Sequence, residues 1–266
     1  MMGRRAAWLA WSLVALSVAP LLGGIALARM TKSTAPELPY DGAVDAVFTL
    51  ATLLAFSVVG AIIASHHPRN TIGWLFCSVG LVVGFDTLAR GYAEFSYSGS
   101  SGSRSLAETA AWFSSWSWTL LVVVPTTFLL LMFPDGRLPS PRWRPVAWCA
   151  GLGIIGFVVG YALEAGPLED LPKLVNPYGI DSPVVGIVTV AANVVVGGSM
   201  VAAAVSLIVR ARRSGRVERQ QIKWLAYGGV VVVGTIFVSG GISVWSETAS
   251  IAASPSPCSG CRSSRA

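Results

Sequence analysis

The sequence predicts an all-α, polytopic integral membrane protein with about seven transmembrane helices and a cytoplasmic N-terminus. Of its 266 residues, 53% are hydrophobic and only 12% are charged, whereas soluble domains carry about 25% charged residues. The apolar residues also lie in long blocks with few internal charges, a pattern typical of helices in contact with lipid. The distribution of Lys and Arg between the loops is the third observation, and it gives the orientation.

Seven apolar stretches are long enough to cross a membrane. A spanning helix needs roughly 20 residues, each rising about 1.5 Å, to cross ~30 Å of hydrocarbon. The breaks between the stretches contain turn residues, such as the PDG sequence at residues 134–136. The predicted spans are residues 7–28, 44–65, 72–92, 110–133, 145–163, 184–209 and 225–245. Residues 1–247 therefore form a membrane-embedded domain, and residues 248–266 form a short, disordered polar tail.

The first stretch also fits the outline of a secretory signal peptide. Arg4 and Arg5 precede an apolar run that ends in the sequence ALA at residues 26–28. That run is longer than the usual signal-peptide core of about 7–15 residues, which favours a retained helix. Cleavage would leave the orientation of the other six spans unchanged.

Charge placement predicts which loops face the cytoplasm, because Lys and Arg in short loops are retained there during insertion. With the N-terminus inside, the inner loops carry twelve Lys and Arg residues against only Asp135 and Glu218. The outer segments carry seven Lys and Arg residues against eleven acids. The inner face is therefore strongly basic and the outer face is acidic.

No motif predicts an enzyme, a metal site or a cofactor. The chain lacks the GxxxxGK phosphate loop, the HExxH zinc motif and the GxSxG nucleophile elbow. Cys258 and Cys261 form a CxxC pair, but no second pair of ligands accompanies it. The excess of 19 Lys and Arg over 13 acids lies in loops beside a membrane, which favours contact with lipids over contact with nucleic acid.

Ionisable residues within a span are the best candidates for a functional site, because a charge in lipid is costly. Asp86 and Arg90 lie at positions i and i+4 of the third span, and Glu94 continues the same face if the helix persists. A structural ion pair near the outer interface is the simpler interpretation, and a ligand-sensing patch is the alternative. That patch would add Glu164, Trp112, Trp116 and Trp118.

The arginines of the predicted cytoplasmic loops are candidates for contacts with lipid phosphates or with a partner protein. Pro134 ends the fourth span, and residues 135–136 make a turn before the arginines around Trp143. Asn70 or Thr71 is expected to cap the third span. The candidate contact residues are Arg69, Arg137, Arg142, Arg144, Arg212, Arg213, Arg216 and Arg219.

Three cytoplasmic segments carry a resemblance to a known family. They are residues 67–75 (HPRNTIGWL), 133–144 (FPDGRLPSPRWR) and 218–225 (ERQQIKWL). Together they resemble the polytopic N-terminal membrane region of actinobacterial sensor histidine kinases, over about residues 1–245. The resemblance implies a sensory membrane region of eight helices, followed by a phosphoacceptor helix pair and an ATP-binding domain. It also implies a second copy of the chain, or a histidine kinase, as the protein partner.

After residue 245 the sequence departs from that family. It has no eighth apolar span and no glycine-rich ATP lid, and His66 and His67 are its only histidines. We therefore expect a non-catalytic sensory region in the plasma membrane, truncated before its catalytic half. The alternative is a stand-alone membrane protein of transporter or scaffold type.

The predicted topology is tested by fusions to the C-terminus. Seven spans that start from a cytoplasmic N-terminus end outside, so we expect an active alkaline phosphatase fusion and a dark fusion to a fluorescent protein that fails to mature after export. A fusion after residue 215, in the most basic loop, is the control and should give the opposite pair of signals. A silent phosphatase with a bright fluorescent protein at the C-terminus would contradict the seven-span topology.

Overall fold

A computed structural model describes residues 2–32, 42–98, 102–133, 135–168 and 174–213, together with the single residues 215, 220, 223 and 227. Every element named in this part of the chain is helical. The helices are α1 (Met2–Lys32), α2 (Gly42–His66), α3 (Thr71–Tyr97), α4 (Arg104–Met132), α5 (Arg144–Leu163) and α6 (Pro183–Arg213), and a short 3-10 helix, Pro141–Trp143, precedes α5.

All six α-helices are long and apolar enough to cross a membrane, with spans of 21 to 30 residues. This confirms an all-helical, multi-pass architecture and six of the seven predicted spans. The seventh, at residues 225–245, lies outside the described residues apart from Tyr227. The cytoplasmic N-terminus and the plasma membrane stay predictions.

The chain divides into two compact units, Met1–Arg213 and Ser214–Ala266. All six α-helices belong to the first unit. In the second unit the structure describes only Gly215, Gln220, Lys223 and Tyr227. The predicted domain boundary at residue 247 therefore lies outside the described residues.

Consecutive helices of the first unit run antiparallel, whereas α1 and α3 run parallel to each other. Asp86 of α3 contacts Ser117 of α4, whereas Tyr92, later in α3, contacts Ser103 just before α4. The ends of α2, α4 and α6 consequently lie beside the starts of α3 and α5. We call this side of the bundle the basic end and define it as residues 67–70, 133 and 135–144 and the last turn of α6. The other side is called the opposite end.

The first unit is built around α3. This helix contacts α1, α2 and α4, and α4 in turn contacts α5 and α6. A buried apolar cluster joins the last three helices through Val123, Ile154 and Val196. Helix α4 therefore connects the α1–α3 group to the α5–α6 pair.

Small residues allow α1 and α3 to approach backbone to backbone. A Cβ added to Gly84 would lie 2.2 Å from the carbonyl oxygen of Ser17. One heptad further along each helix, a Cβ on Gly91 would lie 2.4 Å from the carbonyl oxygen of Gly24. The Ser17 hydroxyl also lies 3.2 Å from the hydroxyl of Ser57 in α2. Close packing of this kind drives association in lipid, where apolar surface gains little from burial.

The tight α1–α3 contact predicts a large penalty for one added methyl group. Gly84→Ala should lower the free energy of unfolding in detergent by about 1–3 kcal/mol, because the α1 backbone has to move. Gly151→Ala is the matched control: a Cβ there meets nothing within 4 Å, and alanine favours the helix by up to about 1 kcal/mol. Equal thermal unfolding midpoints for the two variants would contradict this packing.

Candidate functional site

Asp86 is held by both helices of the α3–α4 pair. Its Oδ2 accepts a hydrogen bond from Arg90 Nε at 2.9 Å, and its Oδ1 accepts one from Ser117 Oγ at 2.6 Å. The side chain of Asp86 is 20% exposed and that of Arg90 is 39% exposed. The expected i, i+4 ion pair is therefore formed, and a hydroxyl from α4 completes it.

The ion pair lies deeper along its helix than the sequence suggested. Fifteen residues of α3 precede Asp86 and eleven follow it, which places it roughly 22 Å from one end and 16 Å from the other. The sequence placed Asp86 near the outer end because the apolar stretch stops at Tyr92. The helix continues to Tyr97, and the N–H of Ser98 closes it on the carbonyl of Glu94 at 3.0 Å. Glu94 thus continues the face of Asp86 and Arg90, as expected, and is half-buried.

Trp112 contributes to the opposite end through its indole N–H. Its Nε1 donates to the carbonyl oxygen of Ala162 at 2.7 Å, in the last turn of α5. Its ring packs against Tyr178 at 4.7 Å and against Trp116 at 5.5 Å between centroids. Carbonyls in the last turn of a helix lack partners within that helix. Trp112 therefore provides a hydrogen-bond donor for a carbonyl at the end of α5, in addition to its packing contacts.

Asn176 completes the same helix end, a role that the sequence analysis did not predict. Its Nδ2 donates to the carbonyl of Ala162 at 3.0 Å and to that of Glu164 at 2.8 Å. Asn176 is buried, and its Oδ1 accepts the N–H of Tyr178 at 2.9 Å. The only available signal was the Asn-Pro step, which predicts a turn but not the contact with α5.

Glu164 joins this cluster through its backbone rather than its carboxylate. It is the C-cap of α5 and pairs with Ile180 in an isolated bridge. Its side chain is exposed. The predicted patch is therefore two separate sites. One is the ion pair of Asp86 and Arg90 in α3, which contacts α4 through Ser117. The other is the group of Trp112, Asn176 and Tyr178 that covers the end of α5. Trp118 packs elsewhere, edge-on to Phe157 and Tyr161.

The predicted contact arginines lie at the basic end where the structure describes them. The exposed members are Arg69, Arg137, Arg142, Arg144 and Arg212. The side chain of Arg213, and the whole of Arg216 and Arg219, lie outside the described residues. Asn70 caps α3 as expected, because its Oδ1 accepts the N–H of Ile72 at 2.9 Å. The surface is therefore basic and open to lipid phosphates.

Two loops meet at the basic end. Gly136 has a φ of 69°, and a Cβ on it would lie 2.1 Å from Asn70 Oδ1 and 2.8 Å from the N–H nitrogen of Thr71. Only glycine adopts this conformation and fits this contact readily. The turn at residues 135–136 thus rests directly on the cap of α3.

Comparison of the chain with protein-family models, with curated proteins and with solved structures finds no match. The resemblance to sensor histidine kinases therefore stays a prediction based on three segments. Residues 67–75 and 133–144 are in contact through Gly136. The third segment, residues 218–225, lies outside the described residues apart from Gln220 and Lys223.

The role of the Trp112 indole predicts a difference between two tryptophans of the same helix. Trp112→Phe removes the hydrogen bond to Ala162, whereas the indole N–H of Trp116 has no acceptor within the described residues. Both variants lose similar volume, so Trp112→Phe should cost about 1 kcal/mol more free energy of unfolding than Trp116→Phe. Chemical unfolding in detergent measures this difference. An equal or larger cost for Trp116→Phe would contradict the assigned role.

Proposed function

We propose that this chain is a non-catalytic sensory input region of the plasma membrane, and that Asp86 is the group through which a stimulus acts. The observation that carries the proposal is the ion pair with Arg90, far from either end of α3 and extended to α4 by Ser117. On insertion scales, an ionised residue at the centre of a spanning helix costs about 2.5–3.5 kcal/mol. A charge retained at that cost is a functional hypothesis by default.

The arrangement suits a sensor because one carboxylate holds two helices. A ligand that competes for Asp86 or Ser117, or that draws Arg90 away, would change the α3–α4 contact without any chemical step. The side chains of Arg90 and Asp86 are 39% and 20% exposed, so neither is fully enclosed by the protein. Conversion of a binding event into altered helix packing is the general requirement for a membrane sensor.

The proposed partners are membrane lipids together with either a second copy of the chain or a histidine kinase. The support for lipids is the row of exposed arginines at the basic end. The support for a protein partner is the resemblance of the three loop segments to sensor histidine kinases. The alternative function is that of a transporter or a scaffold. A transporter would use the same intramembrane charge as a site for a translocated ion.

A chimera tests the sensory function. Residues 1–223, which contain the whole unit Met1–Arg213, are joined to the catalytic half of a bacterial histidine kinase through linkers that increase by one residue. For at least one linker length, Asp86→Asn should change the rate of autophosphorylation in lipid nanodiscs by roughly threefold or more. The reason is that loss of the charge alters the α3–α4 contact. Glu108→Gln, at the opposite end of α4, is the control. Equal responses to both substitutions in every register would refute an input role for Asp86.

Proteoliposomes carrying a pH gradient separate the sensor from the transporter. For a sensor, the gradient should decay within about twofold of the rate in protein-free vesicles, since no ion crosses. Faster decay that is abolished by Asp86→Asn would assign Asp86 to transport and contradict the proposed function.

A further inference from the structure

Arg210, in the last turn of α6, reaches across the bundle to the end of α4. Its Nη1 donates to the carbonyl of Phe133, and its Nη2 lies 3.4 Å from the carbonyl of Leu131 and 3.1 Å from that of Arg137. From the sequence, Arg210 is one of the twelve Lys and Arg residues of the inner loops, which are expected to retain those loops in the cytoplasm and to contact lipid. Its contacts are instead with backbone oxygens of another helix and of the loop that follows it.

These carbonyls are suitable acceptors because α4 ends there. Leu131 lies in the last turn of α4 and Phe133 is its C-cap, so neither oxygen has a partner one turn ahead in a continuing helix. A cation near a helix C-terminus also interacts favourably with the helix dipole. The planar guanidinium presents several donors in a fixed arrangement, which allows one side chain to serve three carbonyls.

The loop held by Arg210 is fixed on its other side by α3. Gly136 packs against Asn70 and Thr71, and Asn70 is itself the N-cap of α3. The N–H of Gly136 also donates to the carbonyl of Met132 at 2.9 Å. The turn after α4 therefore contacts the last turn of α6 on one side and the first turn of α3 on the other, and it links these two helix ends directly.

We propose that Arg210 is a latch that couples the last turn of α6 to the α4–α5 loop and, through Gly136, to the start of α3. A displacement of α3 or α4 is passed to α6, from which the chain continues towards Arg212 and Arg213. The coupling is reciprocal, as linkage requires. The latch stands on the Arg210 and Gly136 contacts alone, so it holds whether the chain is a sensor or a transporter.

Hydrogen exchange of the full-length protein in lipid nanodiscs tests the latch. Arg210→Gln should speed exchange of the hydrogen-bonded amides of Phe133 and Gly136 by roughly tenfold or more, corresponding to about 1.4 kcal/mol, because the loop loses its attachment to α6. Arg212→Gln is the matched control: Arg212 lies two residues further along the same helix and is exposed. Should Arg210→Gln fail to fold, Arg210→Lys keeps the charge but not the fork and should still speed exchange at least about threefold. An increase below threefold in a folded variant overturns the latch.

The reciprocal experiment perturbs the loop and observes α6. Gly136→Ala should push the loop off Asn70 and speed exchange of the amides in the last two turns of α6, residues 207–213, by at least roughly threefold in the protein with Arg210. In the Arg210→Gln background, the same substitution should change the logarithm of the exchange rate by less than half as much. An equal effect in both backgrounds, or none with Arg210 present, overturns the proposal. Neither outcome depends on Asp86, so failure of the latch is distinguishable from failure of the sensory function.

Discussion

The hydrocarbon interior of a membrane cannot hydrogen-bond to a peptide group, so each helix end in this bundle needs a partner from the protein or from the membrane surface. Several ends are satisfied by side chains from a different segment. Trp112 and Asn176 serve the end of α5, and Arg210 serves the end of α4. These contacts fix the relative height of neighbouring helices, because a sliding helix would lose its cap. The cost of an unsatisfied carbonyl in an apolar medium thereby sets the register of the bundle.

Register and proximity are provided by different residues. Small residues let α1 and α3 approach until a single Cβ would overlap a backbone oxygen, as at Gly84 and Gly91. This gives close contact, and the Ser17–Ser57 pair adds a hydrogen bond between α1 and α2. The α3–α4 contact is directional in comparison, because Asp86 binds Ser117. The bundle thus combines close packing between α1 and α3 with hydrogen bonds between α3 and α4.

The sequence predicted the six described helices well because an apolar block of about 20 residues has few alternatives. It was less successful at their ends: α4 begins at Arg104 rather than near residue 110, and α3 continues to Tyr97, because polar turns of a helix resemble loops in composition. The Asp86–Arg90 pair was predictable from its local spacing. The contacts of Trp112 with Ala162 and of Arg210 with Phe133 were not, since they join residues 50 and 77 positions apart.

The placement of Arg90 one turn after Asp86 also affects how α3 enters the membrane during synthesis. The two charges lie on the same helix and form an ion pair within it, so they can pair while α3 leaves the translocation channel, before α4 has been made. Ser117 becomes available only later, when the next helix arrives. The local pair therefore lowers the barrier to insertion. Once α4 has inserted, its Ser117 hydroxyl binds Asp86, and the same pair becomes a contact between two helices of the mature bundle.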